Sequence, residues 1–263
     1  MTAIQILHKA RAVKNDEFYT RLEDIENELQ HYEKHFNGKI VYCNCDDPKK
    51  SAFWKYFHIN FAKLGLKKLI STYYNHGQPT QKMVYGGGSD ADIDAGVRTP
   101  LLGDGDFRSP ECLKILNDCD VVVTNGPFSL TRDLIATIMK YNKKFLIITS
   151  KNAITYKEVF PLILNNEIWL GVNNVKEFVK PDGSTQKFGN IGWFTNLDAN
   201  KRHNMLTLTK TFNPGEYPRY DNYPAWNVDK VADIPRDKYI EIEIDDSEID
   251  WFRTAYPDLE ILS

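Results

Sequence analysis

Strand-like and helix-like segments alternate through the first two thirds of the chain. The strand-like segments are at most eight residues long and rich in valine, isoleucine, leucine and aromatic residues, a composition typical of buried strands. The predicted strands are 39–43, 66–73, 83–85, 121–124, 144–149 and 167–172. The segments between them carry apolar residues at helical spacing. The predicted helices are 21–36, 51–64, 110–117, 130–139 and 153–164.

This alternation predicts an α/β fold with a mostly parallel, doubly wound sheet, because parallel neighbours are joined by helical crossovers. After residue 172 the alternation stops, and Gly, Pro, Asn and Thr separate short strand-like pieces such as 191–195 and 205–209. That texture predicts an irregular or antiparallel region. We therefore divide the chain into a core, 1–172, and a C-terminal region, 173–263, that completes the fold.

Charge is distributed unevenly along the 263 residues, although the formal net charge is only −3. From Asp221 onward there are 12 acidic and 4 basic residues, whereas 176–219 holds 7 basic and 4 acidic ones. An acidic terminal stretch can thus hide a mildly basic working surface from a sum over the whole chain. The alternative is that both stretches are ordinary solvated faces.

The four cysteines match no zinc-binding spacing and are expected to be reduced thiols. The chain has neither an apolar run of membrane-spanning length nor an N-terminal secretion signal. We expect a cytoplasmic protein without a membrane span.

The strand 121–124 ends in the most informative turn, Asn125-Gly126-Pro127-Phe128. Ligands of open α/β sheets bind at the carboxyl ends of the strands. A planar heteroaromatic group with an amino substituent could stack on Phe128 and donate to the amide of Asn125. The alternative is a plain strand–turn–helix connection with a core phenylalanine.

Two other segments are predicted to end strands at the same edge, 44–48 and 104–107. Asp46 and Asp47 precede a helix, whose N-terminus favours polar ligand groups, or they only cap it. Asp106 beside Phe107 offers an acceptor and a ring, as an aminopurine requires. Asp104 and Asp106 alone lack the further ligands that Ca²⁺ or Mg²⁺ needs, so no metal is expected.

The turn Asn125–Phe128 resembles the Asn-Pro-Pro-Phe motif of the S-adenosylmethionine-dependent adenine-N6 DNA methyltransferases, with Gly126 in place of the first proline. Five further segments resemble the EcoRI-type members of that family in the same order along the chain. They are NDEFYT (15–20), NCDDP (44–48), GDGDFRS (103–109), KNAIT (151–155) and FGNIGWFTNL (188–197).

The resemblance implies a Rossmann-like methyltransferase fold that transfers the methyl group of S-adenosylmethionine to the N6 amino group of adenine in DNA. Asn125, Gly126, Pro127 and Phe128 would hold the target adenine after it has flipped out of the duplex. The implied cofactor contacts are Phe18, Tyr19, Thr20, Asn44, Asp46, Asp47, Asp106, Phe107 and Asn125. Two alternatives are a relative that binds cofactor or DNA with weak transfer, and a methyltransferase for another amino group.

The implied partners are double-stranded DNA, S-adenosylmethionine and its product S-adenosylhomocysteine. In a bacterial or phage restriction–modification system a cognate endonuclease would act on the same site, and we expect the methyltransferase to be a monomer. Five basic residues in the C-terminal region are candidates for phosphate contacts. They are Lys176, Lys180, Lys187, Lys201 and Arg202.

Overall fold

The computed structural model of the chain describes residues 19–75, 78–180 and 183–204, and these residues build a nine-stranded mixed sheet. Its strands are β1 (Tyr19–Thr20), β2 (Ile40–Cys43), β3 (Lys68–Ser71), β4 (Gln81–Tyr85), β5 (Val97–Pro100), β6 (Val121–Thr124), β7 (Lys144–Ser150), β8 (Trp169–Val179) and β9 (Thr185–Thr195). The α-helices are α1 (Leu22–Leu29), α2 (Ala52–Ile59), α3 (Phe61–Leu64), α4 (Pro110–Asp118), α5 (Thr131–Lys140) and α6 (Phe160–Leu164). The spatial order of the strands is β1-β8-β9-β7-β6-β2-β3-β4-β5. The predicted strand 205–209 and the candidate residue Phe18 lie outside the described residues.

The four central strands, β7-β6-β2-β3, are parallel. Their side chains alternate between two cores, so that Val121 and Val123 pack with α1–α3 on one face, and Val122 packs with α4–α6 on the other. Helices therefore cover both faces, which explains why these strands are almost continuously apolar. The α/β class and the parallel centre are confirmed.

Antiparallel strands flank this centre on both sides, and they make up a larger share than the sequence indicated. Among the described residues, five of the eight neighbouring pairs are antiparallel. Strands β4 and β5 extend one end of the sheet, and β9, β8 and β1 extend the other. The predicted boundary between 172 and 173 falls inside β8, and the division into a core and a DNA-contacting region stays a prediction.

Besides 21–36, which gives only α1 and a separate 3₁₀ helix, Glu33–His35, two predicted helices are broken in the structure. The segment 51–64 is divided at Asn60 into α2 and α3. In 153–164 a 3₁₀ helix, Lys151–Thr155, is followed by the separate α6. Pro161 explains the second break, because a proline without an N–H fits the first turn of a helix and not its interior. Helical periodicity located both segments but not these interruptions.

A buried carboxylate ties the outer strand β8 to α1. The side chain of Glu28 accepts hydrogen bonds from the backbone amides of Val172 and Asn173, both at 2.7 Å, and from Tyr32 at 3.0 Å. A register shift between Leu170 and Asn174 frees those amides from the sheet. Burial raises the pKa of Glu28, and the three donors oppose that shift. The bulge thus anchors the base of the β8–β9 hairpin.

Candidate active site

A pocket of about 790 Å³ opens where the parallel strands β2, β3 and β6 end. The residues that line it come from the turns after those strands, from β1 and from the loop before α4. They are Tyr19, Asn44, Cys45, Asp46, Asp47, Lys50, Ser51, Tyr73, Tyr74, Asn75, Gly105, Asp106, Phe107, Arg108, Asn125, Gly126, Pro127, Phe128 and Leu130. The structure therefore brings all four residues of the Asn-Gly-Pro-Phe turn and most of the predicted cofactor contacts to one cavity.

The turn itself is set by the geometry between β6 and α5. Pro127 adopts an extended conformation (φ −62°, ψ 123°), and a short 3₁₀ helix, Phe128–Leu130, leads into α5. The half-buried ring of Phe128 lies edge-on to Phe178 of β8, with 6.0 Å between ring centroids. Contact with a second ring restricts the orientation of Phe128 at the pocket wall.

Packing, and not backbone conformation, favours glycine at position 126. Its φ lies outside the left-handed region, so the backbone there does not demand glycine. A Cβ at this position would lie 2.5 Å from Cδ2 of the buried residue Leu134 on α5. Leu134 thus fills the space that a side chain at 126 would need.

Asp46 connects three of the segments around the pocket. Its Oδ1 accepts from the Ser51 hydroxyl at 2.7 Å, and its Oδ2 accepts from the Thr124 hydroxyl at 2.6 Å. The backbone amide of Asn125 also donates to this carboxylate. Burial raises the pKa of Asp46 to about 6, against the effect of these donors. The carboxylate thus joins the β2 turn to the end of β6, and the Ser51 hydroxyl in turn caps α2.

Two predicted cofactor contacts carry buried polar atoms that have no hydrogen-bond partner among the described residues, and only the first of them, Asn44, lines the pocket. They are Oδ1 of Asn44, which is 2% exposed and lines the pocket, and Oγ1 of Thr20 on β1. An unpaired buried acceptor costs about 1–3 kcal/mol, so such atoms usually meet a ligand or water. Asn44 therefore presents an unused acceptor to a ligand that carries N–H or O–H donors.

Asp106 and Phe107 line the pocket, but they do not end a parallel strand as the sequence suggested. The loop that carries them follows the antiparallel strand β5 and lies alongside Asn75 and Thr80, whose amides donate to the carbonyls of Asp104 at 2.9 Å and of Gly103 at 3.3 Å. Gly105 makes this approach possible, because with φ +80° its missing Cβ would overlap the Tyr73 carbonyl. Asp106 and Phe107 therefore reach the pocket through loop contacts, and the expectation that they follow a parallel strand was wrong.

Arg108 adjoins Asp106 and was not singled out from the sequence. Its guanidinium donates to both carboxylate oxygens of Asp106, at 3.0 and 2.7 Å, and to Asp133 on α5 at 3.1 Å. The hydrogen bonds from Arg108 lower the pKa of Asp106 and keep it ionised. Tyr73, Tyr74 and Asn75 were missed as well, although they lie within four residues of the end of β3 and the rule that ligands bind at strand ends would have identified them.

The five basic candidates lie at opposite ends of the strands. Lys176, Lys180 and Lys187 are on the part of the β8–β9 hairpin that extends past the pocket end of β7. Lys201 and Arg202 follow the other end of β9, where Thr195 pairs with Leu146 near the start of β7. Arg202 also lies over the ring of Trp169, 3.8 Å from its centroid. The structure therefore separates the two groups.

Comparison with known proteins agrees with this site. The family model described as adenine-specific methyltransferase EcoRI matches residues 6–253. The chain belongs to that family of adenine-specific methyltransferases.

Curated relatives are similar over most of their length. The chain is 46% identical to the type II methyltransferase M.EcoRI of Escherichia coli, over 89% of this chain and 81% of that protein. It is 36% identical to M.MpnI of Mycoplasma pneumoniae, over 88% and 77% respectively, and 35% identical to M.MgeORF184P of Mycoplasma genitalium over the same shares. No solved structure matches the chain.

Proposed function

We propose that this chain is a type II DNA methyltransferase that transfers the methyl group of S-adenosylmethionine to N6 of adenine in duplex DNA, on a Rossmann-like fold. Membership of the adenine-specific family supports the activity. The observation that carries the assignment of the site is the Asn125–Phe128 turn, which ends the central strand β6 and forms one wall of the pocket.

The pocket suits S-adenosylmethionine, which would supply a methyl group activated by its bond to a positively charged sulfur. Asn44, with its unused buried acceptor, and Asp47 would bind polar groups of the cofactor. Asp106, held ionised by Arg108, would accept from the adenine amino group beside Phe107. Thr20, with its unpaired hydroxyl, and Phe18 would flank the methionine end. For Asp46 we propose a role in holding this loop, because its carboxylate is buried and accepts from three protein donors, whereas the carboxylate of Asp106 is partly exposed to the pocket.

The target adenine would leave the duplex and stack on Phe128. Extrusion costs a few kcal/mol, and a base–aromatic stack returns on the order of 1–3 kcal/mol. The side-chain oxygen of Asn125 and the carbonyl of Gly126 would accept the two N6 hydrogens, which withdraws the nitrogen lone pair from the ring and directs it outward. S-adenosylmethionine would supply its methyl group to this lone pair with release of S-adenosylhomocysteine, and the extra proton on the nitrogen would leave to solvent. Position and preorganised acceptors supply the catalysis.

The remaining expectations about partners and location stay predictions: a monomer, a cognate endonuclease and a cytoplasmic protein. No helix among the described residues is long and apolar enough to cross a membrane.

Transfer of labelled methyl groups tests the proposal. Purified protein is incubated with labelled S-adenosylmethionine and unmethylated duplex DNA, and the hydrolysed nucleosides are separated. We expect label in N6-methyladenine, and a loss of 100-fold or more in Asn125→Ala because it removes a transition-state acceptor. Asn117→Ala, an exposed asparagine at the end of α4, is the matched control and should keep wild-type activity. Label in another product, or none despite cofactor binding, would refute the proposal.

A further inference from the structure

Four polar residues form a surface cluster one strand away from the Asn125 turn. We call Lys151, Asn152, Asn174 and Asn190 the amide cluster. The Lys151 ammonium donates to Oδ1 of Asn174 at 2.5 Å, and the Asn190 amide donates to Oδ1 of Asn152 at 2.6 Å. Asn152 and Asn174 are exposed, and the other two are half-buried. None of the four lines the pocket, so the proposed methyl transfer leaves them without a role.

Sheet geometry places the cluster on a polar face of the β8–β9 hairpin. Asn174 pairs with Gly192, and the aliphatic part of Lys151 lies across that glycine, where a Cβ would come within 2.7 Å of its Cε. Asn190 lies two residues before Gly192, beside a register shift between β8 and β9, and its hydrogen bond to Asn152 keeps it next to Lys151. The alternate residues Val175 and Ile191 are buried in the core on the opposite face. One side of this hairpin is therefore anchored in the core and the other presents amides.

The amide cluster lies farther along the strand direction than the turn that lines the pocket. Thr124, the last residue of β6, pairs with Ile147, and β7 continues for three more residues to Ser150. At about 3.3 Å per residue the end of β7 lies roughly 10 Å beyond the end of β6. Asn190 lies one residue beyond the partner of Ser150, and the hairpin continues past it. A duplex that delivers a base to the pocket meets this projecting hairpin beside the opening.

We propose that the β8–β9 hairpin enters the major groove as a two-stranded ribbon and that Asn152, Asn174 and Asn190 read base edges next to the target adenine. This inference rests on the proposed function. The major groove admits a two-stranded ribbon, and an asparagine amide can bond both N6 and N7 of an adenine. Each amide has two donors and two acceptor lone pairs, so the bonds within the cluster leave capacity for bases. Lys151 contacts phosphate and positions Asn174.

Sequence preference is the measurement that isolates base reading. The probe is a pool of duplexes with one central adenine flanked by randomised base pairs. Duplexes retained by the protein, and separately those methylated, are sequenced for wild type, Asn152→Ala, Asn174→Ala and Asn190→Ala. We expect each alanine variant to lose discrimination at one or two flanking positions, by about 5- to 150-fold, while preference at the other positions persists. Asn117→Ala is the matched control and should keep the wild-type preference.

The outcomes separate this inference from the proposed function. If wild type methylates no adenine, the proposed function fails. If wild type has a preference that all three variants keep, or if the variants weaken every sequence equally, the ribbon does not read bases and only the inference fails. Should Asn152→Ala or Asn190→Ala not fold, Asn174→Ala decides alone, because its side chain is exposed.

Discussion

At the scale of single residues, Asp46 is the point on which the site geometry depends. Its carboxylate accepts from Ser51, Thr124 and the amide of Asn125 at once, so it acts as an acceptor on both oxygens. Protonation would turn one oxygen into a donor and break a bond that holds the Asn125 turn. Since the pKa of Asp46 is about 6, we expect turnover to rise as pH increases through about 6. Asp46→Asn should lower kcat, with less effect on KM for DNA, and abolish that step in the pH–rate profile.

The stability of the same two proteins provides the control. The folded-state pKa of Asp46 is raised, so its contribution to stability is present below about pH 4 and lost as pH rises through about 6. The free energy of unfolding of wild type relative to Asp46→Asn should fall over that interval by at most about 3 kcal/mol. Turnover and stability thus respond to pH in opposite directions. An identical pH–rate step in both proteins would assign the activity change to another group.

Gly126 and Leu134 form a compensating pair. The family motif has a proline where this chain has Gly126, and the buried Leu134 side chain lies where a Cβ would project. Gly126→Pro alone should destabilise the fold by about 1–3 kcal/mol through overpacking. Leu134→Ala alone should cost about 2–5 kcal/mol. In the double variant the ring occupies the vacated space, so we expect its loss to be smaller than the sum by 0.5 kcal/mol or more.

Thermal unfolding of the four proteins measures this coupling, and methyl transfer by the same set relates it to the turn. If the losses of unfolding free energy of the two single variants simply add, the Leu134 side chain does not occupy the space that the proline ring would need.

At the scale of elements, the sequence predicted whatever depends on a local period. The strands 121–124 and 144–149 agree with β6 and β7 to within a residue, because burial on both faces makes most of their positions apolar. Strand β5 was missed, since it lies at the edge and carries exposed residues such as Val97. The path of the Asp104–Phe107 loop was also beyond prediction, because it depends on long-range contacts to Tyr73 and Asn75 that leave no periodic signal.

The site could be located in outline because its residues follow buried strands, but the function of individual side chains could not. Asp46 and Asp106 are both aspartates near strand ends, and the sequence gives them equal claims as ligand contacts. The structure distinguishes them, since Asp46 is enclosed by Ser51 and Thr124, whereas Asp106 is held at the pocket by Arg108. Which partners surround a carboxylate is set by tertiary packing.

At the scale of the described part of the molecule, the two ends of the parallel strands carry different sets of polar residues. The pocket, the amide cluster and the hairpin lysines are at the carboxyl ends of the parallel strands. Lys201 and Arg202 are near the amino ends of these strands. A duplex bound at the pocket reaches the first set directly. The five basic candidates therefore lie on two surfaces, and only one of these surfaces adjoins the candidate active site.

Salt dependence of DNA binding tests this separation. Each lysine that neutralises a phosphate adds about 0.9 to the slope of log K against log salt, because it releases condensed counterions. Lys176 and Lys187 are exposed on the hairpin, so Lys176→Ala/Lys187→Ala should reduce the slope by about 1–2. Lys201 is also exposed, but it lies near the amino ends of the parallel strands, so Lys201→Ala should leave the slope unchanged. Binding of a short duplex with one target adenine, measured from low to moderate salt, gives the three slopes. If the slope falls in Lys201→Ala and is unaltered in the hairpin variant, the duplex binds near the amino ends of the parallel strands and away from the pocket.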